Sequence, residues 1–244
     1  MSEPQDLAST LASFRPALRA LVWGASGGIG GAFVAALEAN PRVAAVMGAS
    51  RKATSPWRFD LEDERSIEAV AQAAAADGPL DLVLVATGVL LPSPEKSWRQ
   101  LDSAVLSRAY AINAIGPALI GKHTLGLLRR DAKSVFACVS ARVGSIEDNR
   151  LGGWHAYRAS KAALDMLVRN FSIELRQRNP QAVCVALHPG TVDTALSRPF
   201  QSAVNPSKLQ SPADSVRRML MTLDGLTPAD TGKLWAYDGA LIPF

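Results

Sequence analysis

The sequence predicts one α/β domain with a parallel sheet of seven strands and helices on both faces. Short apolar runs alternate along the chain with longer segments of helical periodicity. Parallel strands need crossover connections, usually helices, so this alternation is typical of a parallel sheet. No internal repeat or linker-like stretch divides the 244 residues. This length suits one large domain, predicted to span residues 1–244.

The predicted strands are short apolar runs that end in glycine or at polar residues. They cover residues 20–24, 43–48, 57–59, 81–86, 134–139, 182–187 and 233–237. Most of these runs are continuously apolar instead of alternating, which indicates strands that are buried on both faces of the sheet.

The predicted helices have apolar residues at helical spacing and end near proline or glycine. They cover residues 31–39, 64–76, 101–130, 157–178 and 213–223. Gly116-Pro117 interrupts the third helix, which indicates either a break between two helices or a helix start. Residues 195–212 are polar and hold three prolines. They are expected to form a mobile loop with one short helix, able to close over a substrate.

Composition and charge exclude several classes of function. The net charge of +4 comes from 26 basic and 22 acidic residues, without the basic cluster of a nucleic-acid-binding surface. Cys138 and Cys184 lie in predicted buried strands and have neither disulfide nor metal-ligand spacing. Residues 1–6 are unlike a secretory signal, and no apolar run approaches the roughly 20 residues that span a bilayer. The sequence therefore predicts a cytoplasmic protein without nucleic-acid or membrane partners.

A glycine-rich turn follows the first predicted strand. It reads Gly24-Ala25-Ser26-Gly27-Gly28-Ile29-Gly30 and leads into the first predicted helix. Glycine permits a tight turn and the close approach of a pyrophosphate, and the helix N-terminus supplies free N–H groups. Strand, turn and helix together indicate the phosphate-binding corner of a Rossmann fold. The expected contacts with a dinucleotide are Gly24, Ser26, Gly28, Ile29 and Gly30.

The tip of the second predicted strand, Ser50-Arg51-Lys52, holds two cations and no acid. An acid there would bind the ribose of NAD, whereas a cation would bind the 2′-phosphate of NADP. The sequence favours NADP(H), with Arg51 as phosphate ligand and Ser50 as hydroxyl donor. NAD(H) remains the alternative, with both cations simply solvated. Asp60 is expected near the adenine, and Ala86-Thr87-Gly88 is expected to bring backbone close to the cofactor.

Tyr157 and Lys161 lie four residues apart in a predicted helix, so they share one face. A tyrosine with an ordinary pKa of about 10 is a poor base near neutral pH. A nearby ammonium, together with the positive nicotinamide ring of an oxidised cofactor, would lower that pKa. This spacing is common in ordinary helices, but in a chain with a dinucleotide turn it points to hydride transfer.

The motifs, taken in order, resemble those of the short-chain dehydrogenase/reductase family over nearly the whole chain. The matching segments are residues 24–30, Ala86-Thr87-Gly88, Asn113, Tyr157-x3-Lys161 and Pro189-Gly190-Thr191-Val192-Asp193-Thr194. Residues 144–154 are similar to a small bacterial carbonyl-reductase or C-factor-like branch. The resemblance implies an NAD(P)-dependent enzyme that interconverts CH–OH and C=O, and a homodimer or homotetramer.

The resemblance also implies roles for single residues. Tyr157 would be the general acid in carbonyl reduction and the base in alcohol oxidation. Lys161 would bind the cofactor ribose and lower the pKa of Tyr157. Asn113 would hold a water that joins Lys161 to a proton relay. The nicotinamide end of the cofactor would be held by Pro189, Gly190, Val192 and Thr194.

One position departs from the family pattern. The family usually ends the strand before the catalytic helix with two serines, and the second orients the substrate carbonyl. Here Ala141 takes that second position, after Ser140. Ser140 is therefore the expected catalytic hydroxyl and Ser145 the alternative, unless the site lacks this hydroxyl and Tyr157 polarises the carbonyl alone. Trp154 and His155, just before Tyr157, are expected either to line the substrate pocket or to have packing and surface roles.

Three interpretations follow. The leading one is an NADP(H)-dependent oxidoreductase that interconverts a carbonyl and an alcohol. The missing hydroxyl at Ala141 keeps open an NADPH-binding sensor or signalling protein with little turnover. A methyltransferase of Rossmann-like fold would share the glycine turn but would need neither Tyr157 nor Lys161. The expected pocket segments 88–98, 142–155 and 195–212 carry no pattern that identifies a substrate.

Overall fold

A seven-stranded, mostly parallel sheet forms the centre of the computed structural model, which describes residues 10–91, 93–203 and 205–244. The strands are β1 (Leu18–Trp23), β2 (Val43–Ala49), β3 (Leu82–Val85), β4 (Ser134–Val139), β5 (Ala182–His188), β6 (Thr191–Val192), β7 (Leu209–Gln210), β8 (Leu234–Ala236) and β9 (Leu241–Ile242). The main sheet has the order β2-β1-β3-β4-β5-β8-β9, and β6 pairs separately with β7. In the main sheet β9 is antiparallel to its neighbour β8, and the other pairings are parallel.

Helices cover both faces of the main sheet. They are α1 (Gly28–Glu38), α2 (Glu64–Ala75), α3 (Ser103–Tyr110), α4 (Gly116–Thr124), α5 (His155–Arg178) and α6 (Pro212–Gly225). Side chains alternate along β1, so that Leu21 and Trp23 join a core formed with α2, α4 and α5. Ala20 and Val22 join the opposite core, formed with α1 and α6. Burial on both faces explains why the strands read as continuous apolar runs.

The predicted fold class is confirmed, but the identity of one strand is not. Residues 57–59 form no strand of the sheet: Arg58 makes one isolated bridge with Ser50, whose backbone also bonds to Trp57 and Phe59. Their apolar character serves the core instead, because the Phe59 ring packs edge-on against Trp23 with 4.8 Å between centroids. The seventh strand is the short antiparallel β9, which the apolar pattern did not indicate.

The predicted helix at 101–130 runs without a break from Ser103 to Leu127. A π-helical turn, Ala111–Ile115, joins α3 to α4, and Pro117 lies in the first turn of α4, where proline fits. Gly116-Pro117 therefore marks a helix start. This stretch is long and apolar enough to cross a membrane by length and composition alone, so the expectation that no segment approaches that length is wrong. In the fold it packs against α2 and α5.

The predicted loop at 195–212 is described except for residue 204. It holds two short 3-10 helices, Arg198–Ala203 and Pro206–Lys208, instead of one, followed by β7 and the first residue of α6. The extent of the single domain, 1–244, stays a prediction, because residues 1–9, 92 and 204 lie outside the described residues.

Candidate active site

The carboxyl ends of β1, β3, β4 and β5 meet at one edge of the sheet, where parallel α/β sheets bind their ligands. The predicted glycine turn lies there, between β1 and α1. Gly24 has a φ of +88°, a conformation that favours glycine. A Cβ on Gly30 would lie 2.1 Å from the carbonyl oxygen of Gly24. No side chain of the described residues caps α1, so the N–H groups of its first turn, including those of Gly28 and Ile29, can bind an anion.

A groove of about 310 Å³ lies beside this turn. The predicted residues that line it are Gly24, Ser26, Ser50, Arg51, Asp60, Ala86, Thr87 and Gly88. Glu62 and Arg108 line it as well and form a salt bridge of 2.5 Å. Sequence reasoning missed this pair, because Arg108 comes from α3 and no local motif links it to the turn.

Ser50 and Arg51 differ in their surroundings. Ser50 is buried, and its Oγ accepts a hydrogen bond of 3.1 Å from the backbone N–H of Ala53, so the hydroxyl helps to fix its own loop. Arg51 is exposed and has no ion-pair partner among the residues that the structure describes. The other cation of the groove, Arg108, is neutralised by Glu62. Arg51 is therefore the groove cation that is open to a phosphate.

The Thr87 hydroxyl is buried at the end of β3 and has no hydrogen-bond partner within the described part of the chain. Thr87 lines both the groove and a larger neighbouring cavity. Buried hydroxyls are normally paired, so this one marks a place where a polar group of a ligand fits. The uncapped helix, the close glycine contact and this hydroxyl together fit a dinucleotide that runs from the groove into the cavity.

The larger cavity has a volume of about 440 Å³ and a mostly apolar lining. The predicted site residues that line it are Gly28, Ile29, Ala86, Thr87, Gly88, Ser140, Tyr157, Lys161, Pro189, Gly190, Val192 and Thr194. A Cβ on Gly28 would lie 2.7 Å from Cγ2 of Thr194, so the segment predicted to hold the nicotinamide contacts the glycine turn directly. The predicted cofactor end and catalytic end of the chain thus meet in one cavity.

Tyr157 and Lys161 lie in the first two turns of α5. Lys161 is 3% exposed, and its Nζ donates a hydrogen bond of 2.9 Å to the carbonyl oxygen of Val139. Burial lowers the pKa of Lys161 to about 8. Burial, and then the carboxylate of Asp165, raise the pKa of Tyr157 to about 12. The prediction that the pKa of Tyr157 is lowered is therefore wrong when only the groups of the protein are considered. Desolvation of the phenolate raises this pKa and outweighs any lowering by the ammonium of Lys161.

Asn113 is fully buried in the π-helical turn, where its side chain binds protein groups. Its Oδ1 accepts from the N–H of Val89 (2.8 Å), and its Nδ2 donates to the carbonyl of Val89 (2.9 Å) and to Ser160 Oγ (3.0 Å). Both amide protons are thus used. The side chain fixes the segment after Gly88 against α5. The amide N–H groups of Asn113 are therefore not free to bind the water that was expected there.

The hydroxyls expected near Ala141 are not exposed to the cavity. Ser140 lines the cavity, but its Oγ is fully buried, and its hydroxyl lies close enough to Asp165 to lower the pKa of that carboxyl. Ser145 Oγ accepts a hydrogen bond of 3.0 Å from the N–H of Asp148, and Ser145 is not among the described residues that line the cavity. Ala141, which does line it, has no polar side-chain atom. Ser140 thus has no accessible hydroxyl for the catalytic role that was predicted for it.

A buried carboxylate, Asp165, lies one helical turn beyond Lys161. It is 2% exposed, and neither oxygen makes a hydrogen bond of good geometry within the described ranges. Burial raises the pKa of Asp165 to about 7, against the opposing effects of the Ser140 hydroxyl and the Lys161 ammonium. Sequence reasoning missed this residue, although its helical spacing from Tyr157 and Lys161 was an available signal.

Trp154 precedes α5 in a left-handed conformation, with φ of 51° and ψ of 42°. Its N–H donates to the carbonyl oxygen of Glu95 (2.5 Å). Its ring lies 5.3 Å from that of Phe200 and 6.3 Å from that of Tyr157, measured between centroids, and it lines the cavity. Of the two alternatives for Trp154, the structure thus supports the pocket role. His155 begins α5 and is not among the described lining residues.

His188, the last residue of β5, also lines the cavity. Its Nδ1 accepts a hydrogen bond of 3.3 Å from the backbone N–H of Arg142. Burial, and then the guanidinium of Arg142, lower the pKa of His188 to about 4, against the opposing effect of Asp238. In the sequence, His188-Pro189-Gly190 indicates only the end of a strand, so His188 was missed as a site residue.

Comparisons with known proteins decide the family. A model of the short chain dehydrogenase family matches residues 19–205. The chain belongs to the short-chain dehydrogenase family. This short-chain dehydrogenase is 39% identical to the C-signal protein of Myxococcus xanthus over 170 residues, which cover 68% of this chain and 94% of that protein.

Two further relatives are oxidoreductases by name. A 1-hydroxy-2-glutathionyl-2-methyl-3-butene dehydrogenase of Rhodococcus sp. (strain AD45) is 32% identical over 184 residues, which cover 75% of this chain and 77% of the relative. The crystal structure of an NADPH-bound carbonyl reductase from chicken fatty liver superposes with a TM-score of 0.79 at 26% identity, covering 94% of this chain and 100% of that one. The chain is thus a member of a family of NAD(P)-dependent oxidoreductases, as predicted.

Proposed function

We propose that this short-chain dehydrogenase uses NADP(H) to interconvert a carbonyl and an alcohol, with Tyr157 as general acid and base. The observation that carries the proposal is that Tyr157 and Lys161 line the same cavity as the dinucleotide turn and the segment from Pro189 to Thr194. An isolated Tyr–Lys helix pair would have no reason to lie there.

The chemistry of the site suits carbonyl reduction. When bound, NADPH supplies the hydride that the carbonyl carbon receives. The carbonyl oxygen then needs a proton, and a phenol with a pKa of about 12 is protonated at neutral pH. Oxidation of an alcohol would instead require the phenolate, which the protein groups alone disfavour. We therefore propose that Tyr157 works mainly as the acid.

Lys161 and Thr87 are placed to hold the middle of the cofactor. A Cβ on Gly88 would lie 3.5 Å from Lys161 Nζ and 3.5 Å from Asn113 Oδ1, so a ligand passing Gly88 meets the ammonium directly. The ammonium already contacts the carbonyl of Val139, which fixes its direction. We propose that Lys161 donates to the ribose hydroxyls, and that the unpaired Thr87 hydroxyl bonds a neighbouring polar group of the cofactor.

The preference for NADP(H) rests on Arg51, at the end of β2, because it is the groove cation without a salt bridge in the described part of the chain. The chicken carbonyl reductase, which shares this fold, was crystallised with NADPH. Asp60 and Glu62 line the same groove and would disfavour additional negative charge, so the preference depends on Arg51 reaching the 2′-phosphate.

The test is a screen for NADPH oxidation with aldehydes, ketones and quinones, run on the wild type and on Tyr157→Phe. We expect turnover by the wild type with at least one carbonyl class and none by Tyr157→Phe, while both bind NADPH. Tyr110→Phe is the matched control, because Tyr110 lies in α3 and is not among the described residues that line the cavity. A wild type that binds NADPH but reduces nothing would contradict the proposal, as would full activity in Tyr157→Phe.

A second candidate function is an NADPH-binding sensor or signalling protein with little turnover. It is favoured by the absence of an accessible hydroxyl at Ala141 and by the similarity to C-signal. It predicts NADPH binding with no oxidation above background across the same carbonyl panel, so the same screen separates the two candidates.

A homo-oligomer is also proposed. Met166 and Ile173 are 61% and 51% exposed and lie seven residues apart on α5, hence on one face of that helix. Light scattering after gel filtration would test for a dimer or tetramer, and a monomer at working concentration would contradict it. The cytoplasmic location stays a prediction.

A further inference from the structure

His188 lies next to the position where the family has its substrate-orienting serine. Strands β4 and β5 pair in register as far as Val139 and Leu187, and the N–H of Ser140 donates to the carbonyl of Leu187 (2.7 Å). The next residue of β5 is His188. Its ring reaches the backbone N–H of Arg142, and so passes beside Ala141 at the cavity wall.

The hydrogen bond from Arg142 decides which ring nitrogen of His188 carries the proton. A backbone N–H can only donate, so Nδ1 must be the unprotonated acceptor. A neutral imidazole then carries its proton on Nε2. Burial and the nearby Arg142 guanidinium hold the pKa of His188 at about 4, so the ring is neutral at pH 7. Nε2 has no hydrogen-bond partner among the described residues, which leaves its N–H as an unused donor.

The cavity needs such a donor, because neither nearby serine supplies one. Ser140 Oγ is fully buried close to the carboxyl of Asp165, and Ser145 is not among the described residues that line the cavity. Ala141 is small enough to leave room beside the ring of His188. The remaining polar side chains of the lining, chiefly Tyr157 and Lys161, have roles in proton donation and cofactor binding under the proposed function.

We propose that the Nε2–H of His188 donates a hydrogen bond to the substrate carbonyl oxygen, at the place where the family uses a serine hydroxyl. The inference rests on the proposed carbonyl reduction. Tyr157 would give its proton to the same oxygen, so His188 and Tyr157 would polarise the carbonyl together. His188 stays neutral throughout and transfers no proton. A fixed donor in an apolar cavity is worth more than in water, and its direction is set beforehand by Arg142.

Two substitutions separate a donor from a structural residue. Asparagine places its oxygen near the position of Nδ1, so His188→Asn keeps the acceptor for Arg142 but loses the donor. Glutamine places its NH₂ near the position of Nε2, so His188→Gln keeps a donor. We expect kcat to fall about 10²–10³-fold in His188→Asn, as for removal of an oxyanion-hole donor. His188→Gln should retain much more activity, and NADPH affinity and unfolding free energy should change little in either variant.

A rescue and a control complete the kinetic test. Adding Ala141→Ser to His188→Asn should restore part of kcat, because it returns a hydroxyl to the same oxygen. His155→Asn, outside the cavity lining of the described residues, should behave as wild type. A His188→Asn variant with kcat within about threefold of wild type, in a protein where Tyr157→Phe is inactive, would overturn the role of His188 while leaving the proposed function intact.

Nuclear magnetic resonance tests His188 independently of turnover. The chain has three histidines, so His188 can be assigned in ¹⁵N-histidine protein by comparison with His188→Gln. The proposal requires the Nε2–H tautomer at pH 7, and a shift of that N–H when acetophenone is added to the NADP⁺ complex, which cannot reduce it. The Nδ1–H tautomer, a doubly protonated ring or an unchanged signal at saturating acetophenone would overturn the inference. If the wild type reduces no carbonyl, the proposed function fails, and the tautomer and the shift still decide for or against His188.

Discussion

Replacing Gly30 by alanine tests the tightest contact of the glycine turn. The added Cβ would lie 2.1 Å from the carbonyl oxygen of Gly24 and 2.6 Å from its carbonyl carbon. Carbon–oxygen contacts, even attractive ones, lie at about 3.3 Å or more, so the chain would have to open by about 1.2 Å. Both contacting atoms belong to the backbone, so no side chain can turn away to make room.

The magnitude follows from two opposing effects. Overpacking costs about 1–3 kcal/mol or more, whereas alanine gains about 1 kcal/mol over glycine in a helix. We expect Gly30→Ala to lose about 2 kcal/mol of unfolding free energy, because the overlap with backbone lies at the upper end of that range. We also expect the Kd for NADPH to rise about tenfold or more, because the opened turn moves the N-terminus of α1 away from the phosphates.

Stability is measured by urea unfolding, which is monitored by tryptophan fluorescence. Cofactor binding is measured by titration with NADPH. Gly225→Ala is the matched control, because a Cβ there meets no atom of the described residues within 4 Å. That variant should gain up to about 1 kcal/mol of stability and bind NADPH as the wild type does. A Gly30→Ala variant that is as stable as Gly225→Ala and binds NADPH with unchanged affinity would contradict this role of Gly30.

Three further substitutions probe the remaining features of the site. The pKa of Asp165 is about 7 in the folded protein, against an ordinary value of 3.8. Between about pH 4 and pH 7 the folded state therefore binds a proton that the unfolded state has lost, so the unfolding free energy of the wild type falls as the pH rises through that range. Asp165→Asn should therefore raise the unfolding free energy at pH 8 by on the order of 2 kcal/mol and leave it nearly unchanged at pH 4; equal effects at both pH values in urea unfolding would contradict this. Arg51→Ala should raise the Kd for NADPH about tenfold and leave that for NADH nearly unchanged, with Lys52→Ala as control; equal effects on both cofactors would remove the phosphate role. Trp154→Ala should raise KM for acetophenone up to about tenfold more than KM for acetone, because an aromatic contact is lost, whereas the exposed Trp98→Ala should change neither KM.

Local sequence signals predicted the strand, the turn and the helix around Gly24 well. The apolar run before Gly24 and the three glycines that follow specify a strand, a turn and a helix, because backbone conformation there depends on residues close together in the chain. The error at Trp57 and Phe59 has a physical reason. These side chains are apolar because they pack against the core, and Phe59 contacts Trp23. An apolar run cannot distinguish such packing from a buried strand.

The catalytic end was less predictable, because its electrostatics arise from contacts between distant segments. The pKa of Tyr157 was expected to be lowered, but it is raised, because Tyr157 is desolvated and lies near Asp165. His188 enters the site through the register of β4 with β5, which brings its ring to the backbone N–H of Arg142, the residue after Ala141. No spacing in the sequence encodes that pairing, so the residue that we propose as the replacement donor could not be identified from the sequence.

The most direct test of the central claim is hydride transfer itself, measured with NADPH deuterated at C4 and a carbonyl that the wild type reduces. We expect deuterium on the carbinol carbon of the alcohol with the wild type. We expect no label above background with Tyr157→Phe, although that variant should bind NADPH with wild-type affinity. Equal incorporation of deuterium by the two proteins would show that Tyr157 is not the acid of this site.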